Sequence, residues 1–158
     1  MTVILGIDPG YDRVGVAVIN KHPHSDELIL SDCLTTNRQT EETERLKKIG
    51  DAVSQLIDHY RPEILAIENV FFNKNQKTAL RVAETKGVII YLAMSAGLKV
   101  YEFTPLQIKI AVTGYGRSDK KQITSILPQL IRINKTIKFD DEYDAIAAAL
   151  TGSAVCKK

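Results

Sequence analysis

A chain of 158 residues, 44% hydrophobic and 25% charged, can bury roughly two thirds of the surface its unfolded form exposes, so it reads as one domain over residues 1–158. Its longest near-continuous apolar stretch, residues 87–98, is shorter than the roughly 18–20 residues of a membrane span, and Cys33 and Cys156 stand apart in no metal-like spacing; membrane insertion and a zinc module are excluded, and a soluble protein of a reducing cytoplasm is expected. Net charge is only +2, but residues 1–69 carry 7 Lys and Arg against 12 Asp and Glu, residues 70–138 carry 12 against 3, and residues 139–158 carry 2 against 4.

An α/β chain emerges in order. Residues 3–8 form a short β-branched run ending in Asp8-Pro9-Gly10, and residues 13–20 alternate with Val14, Val16 and Val18 on one face. These two make a hairpin. Residues 27–35 add a third antiparallel strand through the turn His22-Pro23-His24-Ser25, whose histidines read as turn residues. Residues 41–60 place Leu46, Ile49, Val53, Leu56 and Ile57 at helical spacing, with Thr40 as the expected N-cap.

Residues 62–68 are a buried-looking strand, and residues 76–96 a long helix that turns apolar nearly all round after Gly87. Residues 99–103 supply a fifth strand. Thr104-Pro105-Leu106-Gln107 is a capping box with proline at the first helical position, and that helix stops near Gly114. Ser118 or Asp119 caps a helix through Ile131, interrupted or kinked at Pro128, and Asp140 caps a last helix through the alanine-rich stretch 145–149. The sum is a mixed five-stranded sheet flanked by helices, the order of a ribonuclease-H-like fold.

Each acidic residue has a plain structural reading: Asp8 in a β-turn, Glu68 at a solvated strand end, and Asp140, Asp141 and Glu142 in a first turn favoured by the helix dipole. Asp144 fits this less well, because it opens directly into an apolar face that must pack. Residues three apart on a helix are neighbours, so Asp141 and Asp144 point to one place, and like charges so placed are unfavourable without a cation. With Asp8 and Glu68, each at the C-terminal end of a strand, they form a four-carboxylate cluster. No Lys or Arg adjoins any of the four in sequence. Such oxygen donors suit Mg²⁺, with Mn²⁺ as substitute. Two ions about 3.5–4 Å apart serve an in-line phosphodiester displacement that leaves a 5′-phosphate and a 3′-hydroxyl.

The stretches Ile4-Leu5-Gly6-Ile7-Asp8-Pro9-Gly10, Ile67-Glu68-Asn69-Val70-Phe71 and Asp141-Glu142-Tyr143-Asp144-Ala145-Ile146-Ala147 resemble the RuvC family of crossover (Holliday) junction endodeoxyribonucleases. The resemblance extends from about residue 3 to residue 151, taking in Lys109-Ile110-Ala111-Val112-Thr113-Gly114-Tyr115-Gly116 and Lys120-Lys121-Gln122. It implies metal-binding, catalytic carboxylates at Asp8, Glu68, Asp141 and Asp144, and catalytic lysines at Lys109 and Lys120. It further implies a junction-stacking aromatic at Phe71, cleavage of four-way DNA junctions in recombination and repair, a homodimer, and a branch-migration complex as partner.

Some family members carry His where Asp141 stands, so Asp140 shares or replaces its role as one alternative, and Phe72 competes with Phe71 for the bases. Lys74, Lys77, Arg81, Arg117 and Lys121 complete the expected DNA-binding set. Two other readings stand beside this one: a small YqgF-like nuclease acting on RNA, and a non-catalytic junction-binding module. Actin-like ATPases share the opening Gly-Ile-Asp-x-Gly pattern but need a second copy of it, which is not visible here. On symmetry grounds, the dimer surface is expected on the helix 76–96, through Val88, Ile89, Ile90, Leu92 and Met94.

Overall fold

Five strands and five helices follow one another in the computed structural model, which describes residues 1–69 and 76–156. Strands β1 (Thr2–Asp8), β2 (Arg13–Lys21) and β3 (Asp26–Thr35) form an antiparallel meander. Helix α1 (Glu42–Tyr60) leads to β4 (Ile64–Glu68), which pairs parallel with β1, and α2 (Gln76–Ser95) leads to β5 (Lys99–Phe103), parallel to β4. Then come α3 (Pro105–Thr113), α4 (Lys120–Leu130) and α5 (Asp140–Val155). The strand order is β3-β2-β1-β4-β5, a mixed sheet as expected.

Strand periodicity divides the core between the two faces of the sheet. Leu5, Ile7, Leu65 and Ile67 pack against Ile49, Val53 and Ile57 of α1 and Ile89 and Ala93 of α2. Ile4, Ile64 and Ala66 point the other way, against Ala145, Ile146, Ala148 and Ala149 of α5, Ile108 of α3 and Leu127 of α4. In β3 the register slips opposite Val18 and Ile19, so that Leu30 and Leu28 are their partners and Ile29 is the extra residue. This bulge lets Leu28 join one core and Leu30 the other, although they are two residues apart.

Several expected boundaries shift. Glu41, not Thr40, occupies the N-cap of α1 and makes no side-chain cap bond; the Thr40 amide is spent on the carbonyl of Asn37 at 3.1 Å. Strand β4 starts at Ile64. Helix α4 is not interrupted at Pro128: it continues to Leu130, and the amide of Ile131 closes it on the carbonyl of Leu127 at 3.0 Å. The proline forgoes one bond, to the carbonyl of Thr124, and the turn beyond it still closes. Phe139 rather than Asp140 is the N-cap of α5; no side chain caps it, and Asp140, Asp141 and Glu142 in its first turn meet the positive helix end.

The apolar circumference of α2 is also distributed differently from the expectation. Ile89 is fully buried within the chain, and Val88 and Leu92 lie over Gly50 of α1. Of the expected residues Met94 does face outward, 59% exposed, and it is joined there by Leu80 and Tyr91, at 59% and 71%.

Candidate active site

Parallel pairing brings the first two carboxylates together. Ile7 is opposite Ile67, so Asp8 and Glu68, the last residues of β1 and β4, end neighbouring strands on the next rung, about 4.8 Å apart in strand spacing. Both share parity with the residues that face α5, Ile4 and Gly6 in one strand, Ile64 and Ala66 in the other. They therefore point to the α5 side of the sheet. Helix α5 is seated unusually close: a Cβ at Gly6 would lie 2.3 Å from the carbonyl oxygen of Ala145, and one at Gly15 would lie 1.8 Å from that of Asp141. No side chain fits at either strand position. That close approach delivers Asp141 and Asp144, one helical turn apart, to the strand ends.

The charges interact as expected of crowded carboxylates. Burial, then the neighbouring charges of Asp144, Glu68 and Asp141, push the Asp8 carboxyl up to about 8, with Lys120 opposing. Glu68 is raised by burial and Asp144, against Lys120 and Lys109. Asp144 is raised by burial, against Lys120 and with help from Asp141 and Asp140. At Lys120 burial works downward, but Asp144 and then Asp140 outweigh it and the net direction is up.

Two capping boxes aim the lysines. Thr104 and Gln107 exchange backbone and side-chain bonds at the start of α3, and Asp119 and Gln122 do the same at the start of α4, at 2.8 Å each way. The first fixes the helix that carries Lys109, and the second places Lys120 at the first helical position. Lys120 Nζ lies 3.1 Å from Asp144 Oδ2 and 3.5 Å from Asp140 Oδ2. Glu68, Lys109, Lys120, Asp144, Pro105, Ile108 and Ile123 line a cleft of about 230 Å³. Asp140 is mostly exposed and sits at the rim, in contact with Lys120.

Asp141 opens to a second cleft of about 370 Å³, with Gly10, Tyr11, Arg13, Lys77 and Arg81 on its walls. Lys77 is exposed there, whereas Arg81 is committed to Glu42 and Glu84. Arg117 and Lys121 are exposed in the α3–α4 loop and at the start of α4. Phe71, Phe72 and Lys74 lie outside the described residues.

Two site neighbours were not anticipated. Arg13 Nε lies 3.1 Å from Asp141 Oδ2. Lys86 of α2 donates to Asn69 Oδ1 at 2.7 Å and pairs with Glu102, tying the chain just beyond Glu68 to β5. Neither was readable locally, because both contacts join residues far apart in the chain.

The donor set is made of carboxylate oxygens, the ligands of a hard divalent cation, and burial of so much negative charge favours one. Among the described residues no three His, Cys, Asp or Glu side chains are drawn into a ready cage. Arg13 and Lys120 hold two of the four carboxylates instead, as isolated anions require. The residues fit a divalent ion once those pairs yield.

Residues 4–152 match the family described as crossover junction endodeoxyribonuclease RuvC. The chain is 42% identical over 148 residues to the protein of that name from Halothermothrix orenii, covering 94% of this chain and 90% of the relative. It is 43% identical to the one from Petrotoga mobilis over 147 residues, covering 93% and 90%. Among solved structures it is similar to Thermus thermophilus RuvC in complex with Holliday junction substrate, with a TM-score of 0.88 at 29% identity over 96% of this chain and 92% of that one. The ribonuclease-H-like sheet, the carboxylates at its strand ends and these likenesses agree, and the chain belongs to the RuvC family of crossover junction endodeoxyribonucleases.

Proposed function

We infer that this protein is a divalent-metal-dependent endonuclease that resolves four-way DNA junctions by paired phosphodiester hydrolysis. The observation that carries the reading is the meeting of Asp8 and Glu68, from adjacent parallel strand ends, with Asp144 of α5 and Lys120 of α4. In this reading Asp8, Glu68, Asp141 and Asp144 hold two ions, Mg²⁺ by preference and Mn²⁺ as substitute. Divalent ions bound there supply Lewis-acid stabilisation and a more acidic water.

The chain's own residues do the rest. Lys109 and Lys120 offset charge that builds on the phosphate oxygens as water displaces the 3′-oxygen, leaving a 5′-phosphate and a 3′-hydroxyl. The apolar walls from Ile108 and Ile123 limit water around the reacting phosphate. Lys74, Lys77, Arg81, Arg117 and Lys121 follow the sugar-phosphate track, Arg81 with its charge partly spent, and Phe71 or Phe72 stacks on bases at the junction.

Cutting two strands of like polarity at symmetry-related positions needs two copies of the site, so the working form is a homodimer. The outward stripe Leu80, Tyr91 and Met94 on α2 supports that assignment. A branch-migration complex is the partner that would present the junction. No helix among the described residues is long and apolar enough to cross a membrane, and Cys33 and Cys156 are free, in keeping with work on DNA in a reducing cytoplasm.

Incubation with Mg²⁺ and three matched substrates tests the reading: a mobile four-way junction, linear duplex DNA and an RNA–DNA hybrid. Paired, ligatable nicks in the junction alone are expected. Preferential cutting of the hybrid would favour the YqgF-like reading, and binding without any cutting a non-catalytic module.

A further inference from the structure

Arg13 opens β2 beside the carboxylates, just beyond the Asp8-Pro9-Gly10 motif. Its Nε is 3.1 Å from Asp141 Oδ2, and its guanidinium carbon lies 5.1 Å from the centroid of the Phe139 ring. The side chain is 49% exposed and lines the second cleft with Lys77 and Tyr11. We propose that Arg13 is a positioning residue for Asp141 that competes with the divalent ion for this carboxylate and, when displaced, carries its charge to a DNA phosphate in the second cleft. The inference rests on the carboxylate reading given above.

The backbone around the pair has no slack. Gly15, two residues on, is packed so close to the Asp141 carbonyl that a Cβ there would lie 1.8 Å from its oxygen, so β2 and the first turn of α5 cannot close further on an ion. Adjustment falls to the Arg13 side chain. A half-exposed ion pair is a weak contact, whereas a divalent ion and a guanidinium sharing one carboxylate repel each other. The ion therefore wins Asp141, at reduced affinity, and releases Arg13 toward the cleft. There the charge of Arg81 is partly spent on Glu42 and Glu84, so the larger share of the phosphate contact falls to Arg13 and Lys77.

Calorimetric titration of Mn²⁺ into the DNA-free protein reads the competition directly, and the salt dependence of junction affinity in Ca²⁺ reads the phosphate contact. Arg13→Gln should bind Mn²⁺ about tenfold more tightly than wild type, the effect of removing one like charge beside a divalent ion. Its slope of log affinity against log salt should be shallower by about one. Arg13→Lys, which keeps the charge, should resemble wild type in both. Unchanged or weaker Mn²⁺ binding by Arg13→Gln, or an unchanged salt slope, overturns the proposal. Asp8→Asn in the same titration separates the two claims. If it binds Mn²⁺ as wild type does, the carboxylate reading itself fails; if it loses the ion while Arg13→Gln matches wild type, only the role of Arg13 fails.

Discussion

Lys120 Nζ and Asp144 Oδ2 are 3.1 Å apart, joining the first residue of α4 to the second turn of α5 across the mouth of the carboxylate cleft. The same ammonium opposes the upward push on Asp8, Glu68 and Asp144, so one cation moderates three crowded carboxylates. Its removal is expected to alter both cutting and the metal-free charge balance.

Lys120→Ala and Lys109→Ala should each lower the single-turnover cutting rate by about two orders of magnitude, the typical loss of one electrostatic donor in a water-poor site. Junction affinity should change far less. A gel-shift titration alongside quenched-flow cutting checks the split; a loss confined to binding would return both lysines to the phosphate track.

Asp8→Asn, Glu68→Gln and Asp144→Asn should abolish cutting yet leave junction binding intact or tighter, because each removes a ligand and a negative charge near phosphate. Asp8→Asn should also stabilise the metal-free protein, since its carboxyl is the one forced up to about 8 by burial and its neighbours. A gain on the order of 1 kcal/mol, or about 2–4 °C in Tm, is the expected scale. Melting curves in EDTA measure it, and normal turnover by Asp8→Asn would remove Asp8 from the ligand set.

Asp12 gives a pH-dependent contribution away from the catalytic chemistry. Hydrogen bonds from Arg38 and then Arg45 hold its carboxyl below the usual value, and Arg45, only 5% exposed, lies with its guanidinium carbon 3.8 Å from the Tyr11 ring centroid. A depressed folded pKa means the contribution is complete above the unfolded value of 3.8 and fades as pH falls through the folded one. Asp12→Ala, which strands Arg45, should cost about 1–2 kcal/mol at pH 7, discounted for a side chain 40% exposed. Urea titrations at pH 7 and pH 3 should show the difference from wild type shrinking at the lower pH.

Tyr91→Glu should convert a dimer into a folded monomer, because Tyr91 is the most exposed of the three outward apolar residues of α2, at 71%. Sedimentation velocity at micromolar concentration reports the state, and a plasmid-borne cruciform reports whether the two cuts stay coupled. An unchanged sedimentation coefficient with cuts still coupled would move the interface elsewhere.

Local and short-range signals carried much of this protein into view from its sequence. The apolar run of β1 and the alternation of β2, the helical period of α1, the capping box at Thr104, the cap offered at Ser118 or Asp119 and the three-residue spacing of Asp141 and Asp144 act over a few residues, and the structure holds the corresponding elements, with Asp119 as the cap. Other features depend on how distant pieces dock. The Ile29 bulge, the pairing of Arg13 with Asp141 and the burial of Arg45 have no local signature. Glu142 shows why. Its place in a first turn suggests a solvated acid, yet α5 lies so close to the sheet that its carboxylate is buried, taking hydrogen bonds from Ser31 Oγ at 2.6 Å and an ion pair from Lys135 Nζ at 2.7 Å. A helix dipole favours an acid at that position wherever the helix lies, but only contacts made across more than a hundred residues of chain decide which acids of the turn are buried and which remain at the cleft.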